Sequence, residues 1–120
     1  MDLSIRSIRA FLGARDFSVS RAFYREIGFT EKELEPGFSL FHSGAFSFYL
    51  QDAYVEDWIN NSMIFLEVND VDKTLQDFLA LDLPGKFKGA RISPVRAFDW
   101  GKEFYLHDPS GILWHIGAFK

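Results

Sequence analysis

Two of the chain's three histidines, His107 and His115, and two of its three tryptophans, Trp100 and Trp114, fall within residues 100–116, WGKEFYLHDPSGILWHI. Histidine titrates near neutrality, so each can act as a general base or as a hydrogen-bonding group. No cysteine is present. That excludes thiol nucleophiles, a disulfide framework and cysteine-based zinc or iron–sulfur centres. Nothing in the pattern sets a nucleophile or electrophile beside His115. Its best functional role is therefore a hydrogen bond to a ligand, and the alternative is a satisfied core histidine. His42 and His107 fall at predicted strand ends, where solvent satisfies them. Lys86, Lys88 and Arg91 read as a solvated basic loop.

The rings are the other chemical resource. The chain carries 14 Phe, 4 Tyr and 3 Trp in 120 residues, which implies either a dense core or an aromatic-lined pocket. Trp58 and Trp100 are predicted in or beside loops, where they would contact a ligand or anchor a partner subunit. A net charge of -4 argues against nucleic acid and is compatible with a neutral or cationic small ligand. No basic-then-apolar leader and no long apolar run appear, so a cytoplasmic location is the default expectation.

These residues need elements to hold them. The hairpin at 100–116 has Asp108-Pro109-Ser110-Gly111 as its turn, flanked by alternating apolar and polar residues. Upstream, residues 5–12 are predicted as a strand. Asp16 with Ser18 and Ser20 can cap a helix whose Val19, Phe23 and Ile27 share a face, closed by Gly28. Three strands follow at 29–34, 38–42 and 46–51, with turns at Pro36-Gly37 and Ser43-Gly44. Residues 52–61 read as a connector with room for one helical turn. The pattern then restarts with a strand at 63–68. A helix follows, capped by Asp70 or Asp72, with Val71, Leu75, Phe78 and Leu79 on one face, stopping near Leu83 because Pro84-Gly85 cannot continue it. Residues 86–97 are weakly extended.

The order is strand–helix–three strands, twice. RAFLGARDFSVSRAFY and MIFLEVNDVDKTLQDFL align on Asp16 with Asp70 and on Phe11 with Phe65, and SGAFSFYLQ aligns with SGILWHIGA on Gly44 and Gly111. Two copies of this length suggest a pseudo-symmetric unit.

Over its whole length the chain resembles the vicinal-oxygen-chelate superfamily, the glyoxalase / bleomycin-resistance / extradiol dioxygenase group. The resemblance rests on Asp16…Phe23-Tyr24-Arg25…Ile27-Gly28-Phe29, on Val68-Asn69-Asp70-Val71-Asp72, and on Asp108-Pro109-Ser110-Gly111. It implies an α+β fold: two tandem βαβββ modules forming a curved, partly open mixed sheet around a cleft. On that reading residues 1–120 are one domain, with module 1 at about 1–52, a connector at 53–61 and module 2 at about 62–120. Trp100-Gly101-Lys102-Glu103-Phe104, the Asp-Pro-Ser-Gly turn, His115 and Asn61 are most similar to the bleomycin-resistance subgroup. That implies a small-molecule binding protein without chemistry, working as a homodimer.

Metal-dependent members of the superfamily place ligands on the first and last strand of each module. The matching positions here are Arg9, Phe48, Met63 and His115. Arginine stays protonated, phenylalanine has no donor atom, and thioether sulfur suits hard divalent ions poorly, so neither a metal nor another cofactor is expected. Strand alternation then puts Arg9, Phe11, Phe46, Phe48, Met63, Phe65, Leu113 and His115 on the cleft side. Ile8, Ala10, Leu12, Ile64, Leu66, Val68, Trp114 and Ile116 would face the helices. The expected ligand-binding set is Arg9, Phe11, Phe48, Trp58, Met63, Phe65, Trp100 and His115. It suits an unidentified flat aromatic or cationic ligand, with no nucleic acid or membrane as partner. Two alternatives stand beside this: a glyoxalase-like lyase, isomerase or dioxygenase-superfamily enzyme with a non-standard metal site, and a module whose cleft its own rings fill. For Arg9 the alternative is a salt bridge to Glu67 or Glu103.

Overall fold

A computed structural model describes residues 1–120. The first module runs β1 (Phe11–Gly13), α1 (Phe17–Glu26), β2 (Thr30–Glu35), β3 (Phe38–Ser43) and β4 (Phe46–Gln51). A short helix, α2 (Glu56–Asn61), leads to the second module. That module comprises β5 (Met63–Glu67), α3 (Val71–Ala80), α4 (Leu83–Lys86), β6 (Arg91–Ile92), β7 (Arg96–Phe98), β8 (Gly101–His107) and β9 (Leu113–Phe119). Sheet A has strand order β1-β4-β3-β2, and sheet B has order β5-β9-β8-β6 with β7 also on β8. In each sheet the strand before the helix pairs in parallel with the last strand of its unit. The remaining main pairings are antiparallel. This is the α+β fold with two βαβββ units expected from the repeat.

Both long helices start as their sequences dictate. Asp16 accepts a hydrogen bond from the Val19 amide and Asp70 from the Lys73 amide, at 3.2 and 3.0 Å, each satisfying one open donor of the first turn. The buried stripe of α1 is Ser20, Phe23 and Tyr24, and that of α3 is Val71, Leu75 and Phe78. These pack on alternate residues of the sheets. Phe78 meets Phe104 edge-on, and Tyr24 lies among Phe41, Phe48 and Trp114. One apolar cluster therefore draws on both units.

Three elements differ from expectation. The strand foreseen at 5–12 is reduced to β1, and residues 1–10 are exposed and irregular. Register explains why residues 5–7 stay outside the sheet. Phe11 lies opposite Tyr49, so counting back sets Ile8 against Phe46, where β4 begins, and leaves earlier residues nothing to pair with. Helix α3 ends at Ala80, before Leu83. Pro84-Gly85 then lies inside the short turn α4, where proline near the start loses no intrahelical bond. The connector holds a full short helix, α2.

The hairpin correspondence drawn on Gly44 and Gly111 also shifts by one residue. Asp16 and Asp70 both cap helices, so Phe11 matches Phe65. Phe11 pairs with Tyr49, and Phe65 pairs with His115. The structural counterpart of His115 is therefore Tyr49, not Phe48. The two turns differ in length: Ser43 pairs with Phe46, but His107 pairs with Leu113. Aligning on Gly44 and Gly111 misses that difference.

Candidate functional site: the open faces of the two sheets

Each sheet has one face on the helices and one face open. Period-two alternation assigns the open face of sheet A to Phe11, Phe38, Leu40 and Tyr49, since Ser39, Phe41, Phe48 and Leu50 are buried on the other side. On sheet B, Ile64, Leu66, Phe104, Trp114 and Ile116 face the core. Met63, Phe65, Glu103, Tyr105, Leu113, His115 and Gly117 occupy the opposite face.

Aromatic rings gather on both open faces. On sheet A, Phe11, Phe38 and Tyr49 lie nearly parallel, with centroids 4.8 to 6.1 Å apart. Arg9 donates to the Tyr49 hydroxyl at 2.8 Å, and its guanidinium lies 5.6 Å from that ring. It forms no ion pair with Glu67 or Glu103. On sheet B, Phe65 stacks on Phe119 at 5.6 Å and approaches Trp100 at 6.3 Å. Trp100 in turn stacks on Phe98 at 5.3 Å with planes 5° apart. Phe11, Phe65, Trp100 and Phe119 are all solvent-exposed in the single chain. An open depression of about 350 Å³ borders the first cluster at Phe11 and Phe38, with Glu35 and Asp52 on its rim. Another of about 380 Å³ borders the second at Phe98 and Phe119, beside the start of α3.

Among the residues expected from sequence, Arg9 and Phe11 join the sheet A cluster, and Phe65 and Trp100 join that of sheet B. Met63 and His115 share the open face of sheet B on adjacent strands, Met63 being 66% exposed. Phe48 is 4% exposed and packs in the core against Tyr24, Phe41 and Trp114, so it does not reach this face. Phe46 lies on the same side as Phe48, beyond the core, and is exposed. Trp58 is 60% exposed on α2 and belongs to neither cluster. Sequence reasoning passed over Tyr49, Phe38, Phe98 and Phe119. Burial of Ser39, Phe41, Phe48 and Leu50 on the helix side sets Phe38 and Tyr49 on the open one.

His115 is held on two sides. Its Nδ1 lies 3.3 Å from Glu103 Oε1, and its ring meets Tyr105 edge-on at 5.0 Å. The strand beneath is fixed by a buried network. Asp108 accepts three backbone N–H bonds from Ser110, Gly111 and Ile112, each 2.9 Å, and the Tyr24 hydroxyl donates to it at 2.6 Å. Trp114 Nε1 donates to the same Tyr24 oxygen at 3.0 Å. Burial pushes the Asp108 carboxyl above its ordinary value, while Tyr24 and the three amides pull it back. Desolvation, then the neighbouring Asp108, hold the Tyr24 hydroxyl well above the usual phenol range. Gly111 supplies the positive φ of 109° that closes this turn. Helix α1 of the first unit is thereby tied to the hairpin that carries His115. His107 is half-buried, and desolvation followed by Arg91 lowers its pKa.

With the register corrected, the superfamily's metal positions read Arg9, Tyr49, Met63 and His115. Arginine and thioether leave too few suitable donors for a divalent ion. No three His, Cys, Asp or Glu side chains converge anywhere in the chain. The residues present do not fit the superfamily's metal.

No family model and no curated protein matches the sequence. Solved structures do match. A bleomycin-binding protein in complex with bleomycin superposes with a TM-score of 0.80 at 19% identity, covering 97% of this chain and 100% of its own. The bleomycin-binding protein of bleomycin-producing Streptomyces verticillus, in complex with copper(II)-bleomycin, gives 0.77 at 20%, covering 97% and 99%. A lactoylglutathione lyase from Agrobacterium tumefaciens gives 0.72 at 21%, covering 95% and 94%. The chain therefore has the same fold as these bleomycin-binding and lactoylglutathione lyase structures.

Proposed function

We propose that this protein binds and sequesters a flat, aromatic or cationic small molecule, without chemistry, in a cleft that a second copy of the chain completes. The observation that carries this reading is the pair of exposed aromatic clusters, Phe11–Phe38–Tyr49 and Phe65–Trp100–Phe119, on sheet faces with no cover of their own. Stacking on such rings suits flat groups, and an aromatic face also attracts cations. Trp58, Met63 and His115 extend the ligand-binding set. Likeness of fold to proteins that hold bleomycin supports a ligand of this kind.

The same exposure supports a homodimer. Contiguous apolar patches on a free surface mark binding surfaces. Residues 1–10 add an apolar arm, with Leu3, Ile5 and Ile8 exposed and unpacked, that a second copy would cover. No helix is long and apolar enough to cross a membrane, and the proposed place of action is the cytoplasm.

The test is a titration of tryptophan fluorescence with metal-free bleomycin, repeated on Trp100→Phe, with sedimentation to read the assembly. Saturable quenching by the dimer, weakened several-fold in the variant, is the expected result. Unchanged affinity in Trp100→Phe, or a monomer that binds equally well, would remove the reading.

A further inference from the structure

The binding reading leaves one group unexplained. Glu103 is only 6% exposed, yet it lies on the open face of sheet B rather than in the core. Its backbone is opposite Gly117, and Gly117 is opposite Glu67, so the three form one row across the sheet. The Phe65 ring reaches this row. A side-chain carbon on Gly117 would lie 2.8 Å from Phe65 Cζ and 3.2 Å from Glu103 Cβ. Glycine at 117 thus leaves room for the tip of the Phe65 ring beside Glu103. Arg96 is in register with Glu103, but its guanidinium sits over Phe98, 5.9 Å from the ring centre. The side chain that meets the carboxylate is His115.

An ionised carboxylate has only lone pairs to offer, so the 3.3 Å contact needs the proton on His115 Nδ1. In the neutral imidazole Nε2 then carries the other lone pair. It has no protein partner, and no buried side-chain polar atom in the chain lacks one, so Nε2 reaches solvent. Around it stand Met63, Leu113, Phe65 and Tyr105, none charged, with Glu67 on the next row.

We propose that Glu103 and His115 form a hydrogen-bond-accepting site. Glu103 is the positioning residue, and His115 Nε2 accepts an N–H or O–H from a ligand whose ring lies on Phe65. The class of ligand selected is a flat organic cation that carries N–H donors. A methylated cation of the same charge gains the stacking and loses the hydrogen bond. Two carboxylates, Glu103 and Glu67, against the single guanidinium of Arg96 in the same row, disfavour anions on this face. The proposal sharpens the aromatic-face reading and rests on it for the ligand, while the tautomer it requires stands independently.

Two measurements test it. Long-range proton–nitrogen correlation on ligand-free, nitrogen-15-labelled protein, slightly alkaline of neutral, reads the His115 tautomer. The expected result is a proton on Nδ1 and a bare Nε2, with the population redistributed in Glu103→Gln. A proton on Nε2 in the wild-type chain overturns the proposal. The second measurement compares benzamidine with phenyltrimethylammonium, two phenyl cations of equal charge, only the first with N–H donors. Tryptophan fluorescence should show benzamidine binding about tenfold more tightly, and Glu103→Gln should shrink that preference without abolishing binding of either. Equal affinities overturn the acceptor role and leave the aromatic face standing. Binding of neither removes the ligand assignment and the aromatic-face reading together.

Discussion

Tyr24→Phe deletes one oxygen and unpairs two buried groups. Asp108 loses its 2.6 Å donor and keeps its three amide bonds, while Trp114 Nε1 loses its 3.0 Å acceptor. A hydrogen bond to a charged group contributes about 1.5–3 kcal/mol, and a stranded neutral donor costs about 1 kcal/mol or more. The expected loss is about 3 kcal/mol at neutral pH, a large share of the roughly 5–15 kcal/mol typical of a small domain. The pH dependence has a definite sign. The Asp108 carboxyl is raised by burial, so it favours folding fully below the unfolded value of about 3.9, and that contribution is lost as pH rises through the folded value. Removing the Tyr24 hydroxyl raises the folded value further. The variant's deficit should therefore be smallest near pH 4 and grow towards pH 7. Urea unfolding followed by circular dichroism at both pH values gives the measurement. A deficit under about 1 kcal/mol at pH 7, or a larger one at pH 4 than at pH 7, would refute the buried network as described.

Three other perturbations have expected outcomes. Glu31→Gln removes a carboxylate that partial burial disfavours but that Ser39, Arg21 and Arg25 together hold below its ordinary pKa. Its stabilisation is present above the unfolded value of about 4.3 and lost as pH falls through the folded one. Unfolding curves should therefore show a cost of about 1 kcal/mol at pH 7, converging on wild type towards pH 3. Gly117→Ala should lift Phe65 off the strand. Overpacking costs about 1 kcal/mol there because the ring can swing into solvent, and Trp100 emission should change; unaltered emission would mean that Phe65 does not rest on Gly117. Deleting residues 1–8 should leave the melting temperature of the folded chain nearly unchanged and weaken self-association in sedimentation. A large loss of thermal stability with association intact would show that the arm packs on its own chain.

The fold was legible because local signals agreed with the repeat. Asp16 and Asp70 cap their helices, Gly28 follows the first, and the Asp108-Pro109-Ser110-Gly111 turn joins the last two strands. Parity was harder to read. Phe48 and Tyr49 are both aromatic, so hydrophobicity could not tell the core residue from the open-face one. Only the strand register, fixed by unequal turn lengths, separates them. The first strand was overextended because Ile5 has strand-like character but lies beyond the start of β4, which begins opposite Ile8. Glu103 looked like an ordinary polar residue in an alternating strand. Its low exposure belongs to the folded sheet, where Phe65, thirty-eight positions away in sequence, comes against Gly117 beside it.

The most direct test of ligand binding on the open sheet faces is amide chemical-shift mapping of the nitrogen-15-labelled protein during titration with metal-free bleomycin. The account predicts saturable shifts at Phe11, Tyr49, Phe65, Trp100, His115 and their strand neighbours, with the outer surfaces of α1 and α3 unaffected. Shifts confined to the helices, or none at concentrations that saturate a specific site, would contradict it.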